Sequence, residues 1–452
     1  MSLFLLLAIA VLIIVGCVGA LVLAIVHNKP VFLIYFQILY CCTMRFLMTE
    51  MHFPSVLRFL PDLVTMVLLV QCVIYFQRAR VVTLVKAPLF TVALFFTLAM
   101  VAFVVNAQPI AALIWGTRVV MRFFVFWVSC VFFLQEEDVH RMVRIFFFLT
   151  VGNVLAVSFQ YLIQGYTFDF VSGLFGTEIG ANSEMNVFLV QMFICGMAMY
   201  AFSRCSWKFL LAIVGMGLYI AAISELKVVF VELPLVFCVL LLCAGWRPKC
   251  GRMLVVGATA IYLAGMLFFI FYPEWEGFLS LSSIQNYIGD MGYAGEGTLN
   301  RTTAVPYVFE NMLTSPVQWL FGYGLGNADA ASFYASEIYQ TYSATRYQYF
   351  GFAHFLAENG VLGVVTYLSF YVIILAKSLA FKRRDPERAV WYVIGAMSSV
   401  LAFFYMFYSQ ALRVEITYIY MFWLAVPFIV WKDAGRGIPE PCKGRERVDL
   451  AV

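Results

Sequence analysis

The chain has 452 residues, of which 63% are apolar and 12% charged, with a mean hydropathy of +0.91. Soluble domains carry about 25% charged residues, so this composition excludes a soluble enzyme, a disordered tail and a disulfide scaffold. Only lipid can solvate so much apolar surface, which points to an all-α polytopic membrane protein. The net charge of +4 comes without a basic, aromatic-interleaved cluster, so no nucleic acid is expected as a partner.

Long apolar runs between polar breaks predict thirteen spans. They fall near 3–26, 30–48, 61–77, 87–105, 110–134, 144–163, 186–202, 207–223, 226–245, 253–272, 361–381, 389–408 and 416–431. The first is longer than a signal-peptide core, lacks a basic leader and has no cleavage stretch, so it is read as a helix. Four parts follow: spans one to ten over 1–272, a large outer segment over 273–360, the last three spans over 361–431, and a short polar tail from Lys432, read as disordered. Most of the 29 basic residues gather in alternate connections, including Arg78, Arg80 and Lys86, then Arg247, Lys249 and Arg252, then Lys382, Arg383, Arg384 and Arg388. By the positive-inside rule those connections and the C-terminus are cytoplasmic, and the N-terminus is outside. The eleven cysteines avoid 273–360 and match no disulfide or zinc pattern.

Two outer segments stand out, 164–184 and 273–360. The second is too long for an unstructured loop and reads as a folded cap. Its elements are a helix at 303–314 capped by Thr302 or Thr303 and ended by Ser315-Pro316, a tight turn over LFGYGLGN, and a helix from about 350. Gly322, Gly324 and Gly326 follow no strand and precede no P-loop lysine, so they form a turn and not a nucleotide loop.

Eight basic residues remain on the outer side: Arg45, Arg58, Arg118, Arg122, Lys227, Arg301, Arg346 and Arg413. Arg118 and Arg122 lie inside IAALIWGTRVVMRFFVFW, one turn apart on the same helix face. They repel unless an anion or a carboxylate sits between them. One reading pairs these cations with Glu50, Asp62, Glu225, Glu232, Asp290 or Glu415, or lets them snorkel. The other makes them a cationic pocket for a phosphate-bearing lipid head group, since the guanidinium fork suits phosphate oxygens. Trp319, Tyr323, Tyr347 and Tyr349 either stack on sugar rings or pack the cap against head groups. Glu358, one turn after His354, either orients that imidazole or caps its helix.

The stretch GTLNRTTAVPYVFENMLTSPVQWLFGYGLGN, followed 26 residues later by HFLAENGVLG, resembles the bacterial O-antigen polymerase and O-antigen ligase superfamily. SELKVV at 224–229 is similar to a basic stretch those proteins carry before their large loop. The close match covers about 70 residues. The resemblance implies a GT-C-like membrane glycosyltransferase that takes glycan from undecaprenyl pyrophosphate at the periplasmic face of the bacterial inner membrane. It also implies a flippase and a chain-length regulator as partners. By it, Arg301 contacts pyrophosphate, Lys227 stands at the second basic position, and His354 meets the acceptor. Arg45, Arg118, Arg122, Arg346 and Tyr323 complete the expected substrate pocket, with His354, Arg301 and Glu358 as the catalytic set. Pyrophosphate leaves without a strong acid, guanidiniums neutralise it, and a histidine base activates the sugar hydroxyl. No Asp-x-Asp motif lies in the large segment, so no metal or cofactor is expected, and the displacement is expected to invert. Polymerase is preferred to ligase. A flippase or exporter is disfavoured because neither an internal repeat nor a discontinuous helix is legible.

Overall fold

The computed structural model describes residues 29–76, 81–178, 180–271, 297–331 and 334–435, with a few isolated residues before 29. Among these, twelve long helices follow in order: α1 (Pro30–Thr49), α2 (Leu60–Phe76), α3 (Val82–Val105), α4 (Ile110–Phe133), α5 (Glu136–Leu162) and α6 (Ala181–Ala201), then α7 (Trp207–Ile223), α8 (Val229–Ala244), α9 (Cys250–Phe271), α10 (Gly351–Arg384), α11 (Ala389–Tyr408) and α12 (Thr417–Asp433). Each expected span from 30–48 onward coincides with one of them. The expected span at 3–26, residues 273–296 and the tail beyond 435 lie outside the described residues, apart from isolated positions. Nine of the described helices are long and apolar enough to cross a membrane, and α7 and α8 are shorter apolar helices. The chain is therefore an all-α protein built for a membrane.

The core runs along α12, whose residues Thr417 to Trp431 are all buried. It packs against α4 and α11. At the rim, α2 turns Leu63, Met66, Val67 and Val70 outward, and α9 does the same with Val255, Tyr262 and Ile270. Apolar faces of this kind are solvated by lipid.

The segment before α10 is folded over its described part. Asn300, not a threonine, caps its first turn: the Asn300 side-chain oxygen accepts from the Thr302 and Thr303 backbone N–H groups, each at 2.9 Å. A short helix Ala304–Tyr307 widens into a π turn over Val308–Met312. Pro316 opens a further helix, Pro316–Phe321, with a capping box between Ser315 and Gln318. A two-residue hairpin and the helix Glu337–Tyr342 follow.

One expectation fails here. α10 is discontinuous: Gly360 sits at φ 59°, ψ −171°, a backbone state closed to residues with a side chain. Breaking a helix orphans carbonyls on the N-terminal side of the break. Those of Ala357 and Glu358 accept from the backbone N–H groups of Tyr323 and Gly324, each at 2.8 Å. A β-carbon on Gly360 would lie 2.5 Å from the backbone of Leu320 and Gly322. The glycine-rich turn and the His-Glu-Asn-Gly helix are thus one interlocked fitting. The break falls where the expected outer segment 273–360 meets the expected span at 361–381; the change in hydropathy marks that boundary but not the backbone state of Gly360.

Candidate functional site

The fitting holds Glu358 and His354 at one end of the bundle. His354 stands one turn before Glu358, and both are buried, at 2% and 0% exposure. His354 Nε2 lies 3.4 Å from Glu358 Oε1. Nδ1 has no hydrogen-bond partner among the described residues, and Nε2 has only this long approach to Glu358. The Tyr347 ring meets the imidazole edge-on at 5.9 Å between centroids, and the Tyr347 hydroxyl donates to the Ala328 carbonyl.

Arg413, in the connection between α11 and α12, takes up both Glu358 oxygens, at 2.6 and 3.2 Å. It also reaches Asp329 Oδ2 at 3.3 Å. Burial disfavours the Arg413 charge, but Glu358 and Asp329 outweigh burial and raise its pKa. The ligand atoms of Asp329, His354 and Glu358 lie within 4.8 Å of one another, a spacing a metal ion could use. Arg413 already engages both carboxylates, so a guanidinium competes with any cation for their oxygens.

A second cluster lies alongside. Asp62, at the start of α2, sits between the two cations of α4: Arg118 Nη2 is 2.5 Å from Asp62 Oδ2, and Arg122 Nη1 is 3.4 Å from Oδ1. Arg122 also contacts Glu415 Oε1 at 3.2 Å. The carboxylate that the i,i+4 arginines required is therefore supplied by the chain itself. Burial would raise the Glu415 carboxyl, but Arg122 and then Arg45 outweigh it and hold Glu415 below its ordinary range. Arg45 lies 2.5 Å from Glu184 and 3.7 Å from Glu178. Trp115 joins the clusters, since its Nε1–H donates to Asp329 at 3.2 Å while its ring stacks under Arg118 at 4.7 Å.

The other expected site residues lie on other turns. Arg301 is half-buried; its Nε donates to the Tyr408 carbonyl at 3.3 Å, and its guanidinium lies 4.1 Å from the Tyr408 ring. Arg346 is exposed, takes a left-handed φ of 62°, and lies 5.6 Å from the Tyr349 ring. The Leu299 N–H donates to the Thr345 carbonyl at 2.9 Å, pinning together the turns that carry these two arginines. Lys227 lies 2.7 Å from Glu225. Tyr323 is half-buried and donates its hydroxyl to the Met312 carbonyl, so it serves the packing of the cap.

Asp329 and the role of Arg413 escaped the sequence reading. A usable signal was present: Arg413 and Glu415 place opposite charges two residues apart in the short connection before the last span. Asp329 follows the glycine-rich turn by only three residues. The chain matches no protein-family model and no curated protein sequence.

Proposed function

We propose that the chain is a thirteen-span, GT-C-like glycosyltransferase of the bacterial inner membrane, with its N-terminus periplasmic and its C-terminus cytoplasmic. It polymerises undecaprenyl-pyrophosphate-linked oligosaccharide units at the periplasmic face. The observation that carries this reading is His354, a buried imidazole whose Nδ1 has no hydrogen-bond partner among the described residues and whose Nε2 faces an Arg-anchored carboxylate. Nε2 faces Glu358, which leaves Nδ1 to take a proton, the division of labour seen in acid–base triads. In the step itself, the acceptor hydroxyl oxygen bonds to the anomeric carbon of the donor sugar. The bond from that carbon to the pyrophosphate oxygen breaks, the lipid pyrophosphate leaves with the electron pair, and the hydroxyl proton passes to His354.

Arg301 and Arg346, on pinned turns at the cap, are the residues suited to receive pyrophosphate oxygens. Arg45, Arg118, Arg122 and Lys227 already hold carboxylates and act chiefly in framing the site. The test is reconstitution of the full chain with a lipid-pyrophosphate oligosaccharide, without divalent metal. A ladder of longer lipid-linked products is expected. Transfer only after lipid A-core is added identifies a ligase.

The break at Gly360 favours a second reading, because discontinuous helices also line the binding sites of transporters. Carrier-lipid binding without product, together with movement of that lipid across vesicles, would establish a flippase or exporter instead.

A further inference from the structure

The Asp329, Glu358, Arg413 and His354 cluster is not electrically balanced. One guanidinium faces two carboxylates, so within this set the remaining negative charge is offset when the imidazole carries a proton. The charged or titratable groups packed against His354 are Glu358 from its own helix, Asp329 from the turn, Arg413 from the α11–α12 connection, and Tyr347 from the turn before α10. Burial, then Glu358 and Asp329, push the Tyr347 phenol upward, so it adds no charge near neutral pH. Of the side chains in this set, imidazole is the one suited to exchanging a proton near neutral pH.

We propose that Arg413 is a positioning residue for proton transfer: it holds Glu358 against His354 and limits the uncompensated charge facing the imidazole to one unit. The imidazole is thereby left able to accept the acceptor's proton, and the cluster becomes neutral as it does so. A preorganised counter-charge of this kind stabilises the imidazolium where it forms, without reorganisation. This inference rests on His354 acting as the base. Removing the guanidinium leaves two carboxylates facing the ring, which favours its charged form.

The experiment uses the full chain in two assays, the pH profile of transfer and the titration of ring-labelled histidine by NMR. Four histidines are present, and His354→Gln identifies the signal of His354. In Arg413→Gln, the acid limb of the profile and the His354 midpoint should both rise by about 1–3 pH units, the usual effect of a charge within reach of a titrating group. Asp329→Asn should move both down. The double variant, which restores one net negative charge, should return within about half a unit of wild type, and Arg413→Lys should stay close to it. A midpoint unmoved in Arg413→Gln, with activity lost equally at every pH, overturns the inference. Should Arg413→Gln fail to fold, Asp329→Asn decides, and an unmoved midpoint there overturns it as well. Midpoints that move as stated while no glycan is transferred would overturn the transferase reading and leave the charge coupling standing.

Discussion

Arg413 and Glu415 stand two residues apart on one short connection, yet they enter clusters of different electrical balance. Glu415 joins Asp62, Arg118 and Arg122, where two carboxylates meet two guanidiniums. Arg413 joins Asp329 and Glu358, where one guanidinium meets two carboxylates and an imidazole stands by. The first set is neutral as built and serves as a joint between α2, α4 and the α11–α12 connection. The second becomes neutral when it also binds a proton. Buried ion pairs are common supports, and breaking one costs more than replacing it entirely. A buried cluster that lacks one positive charge is suited to acid–base work.

Closing the break beneath the second set separates the two most directly. Gly360→Ala forces a β-carbon into the backbone of Leu320 and Gly322 at a φ that alanine resists. A loss of about 3 kcal/mol or more is expected, read as a lower melting midpoint of the purified protein in detergent. A variant that melts like wild type would show that the fitting does not hold the helix open.

Arg122→Met tests the first set. It leaves Glu415 without its nearest cation and should cost about 3–5 kcal/mol, whereas Arg122→Met combined with Glu415→Leu should recover most of that loss. The recovered variant should still transfer glycan. If it is stable but inactive, Arg122 touches the substrate after all. His354→Gln gives the converse pattern. Its melting midpoint should change little, while transfer falls by about 10²–10⁴-fold, the usual contribution of a general base. Unchanged transfer would remove the histidine from the chemistry.

The smallest effect concerns acid. Glu415 is held below its ordinary value of 4.5, so its contribution to stability is complete above that pH and is lost as pH falls below it. The melting midpoint should drop as pH falls below about 4.5, and Glu415→Gln should lose that part of the slope while melting lower at neutral pH. Equal slopes in the two proteins would mean that Arg122 and Arg45 do not hold the carboxylate ionised.

Much of the helical frame was legible in the residues. The spans expected from 30–48 to 416–431 are helices, because apolar runs of membrane length have few other ways to satisfy their backbone. The turn at Gly322, Gly324 and Gly326 was legible too, and all three take positive φ. Asn300 was harder to find, since one side-chain oxygen serves two successive N–H groups and the nearby threonines are equally good caps on paper.

The sequence by itself determined that the chain is a membrane protein, where the long helices from 30–48 to 416–431 lie, that Arg118 and Arg122 share a face, and that His354 and Glu358 stand one turn apart. These depend on composition and helical periodicity, which are local properties. Only the tertiary structure decided which charge each cation holds. Asp62 lies 56 residues from Arg118 and Glu358 lies 55 from Arg413 along the chain, and no periodicity reports a meeting at that separation. The break at Gly360 belongs to the same class. Its cause is the approach of a turn nearly forty residues upstream, whose N–H groups replace those that α10 would otherwise have used.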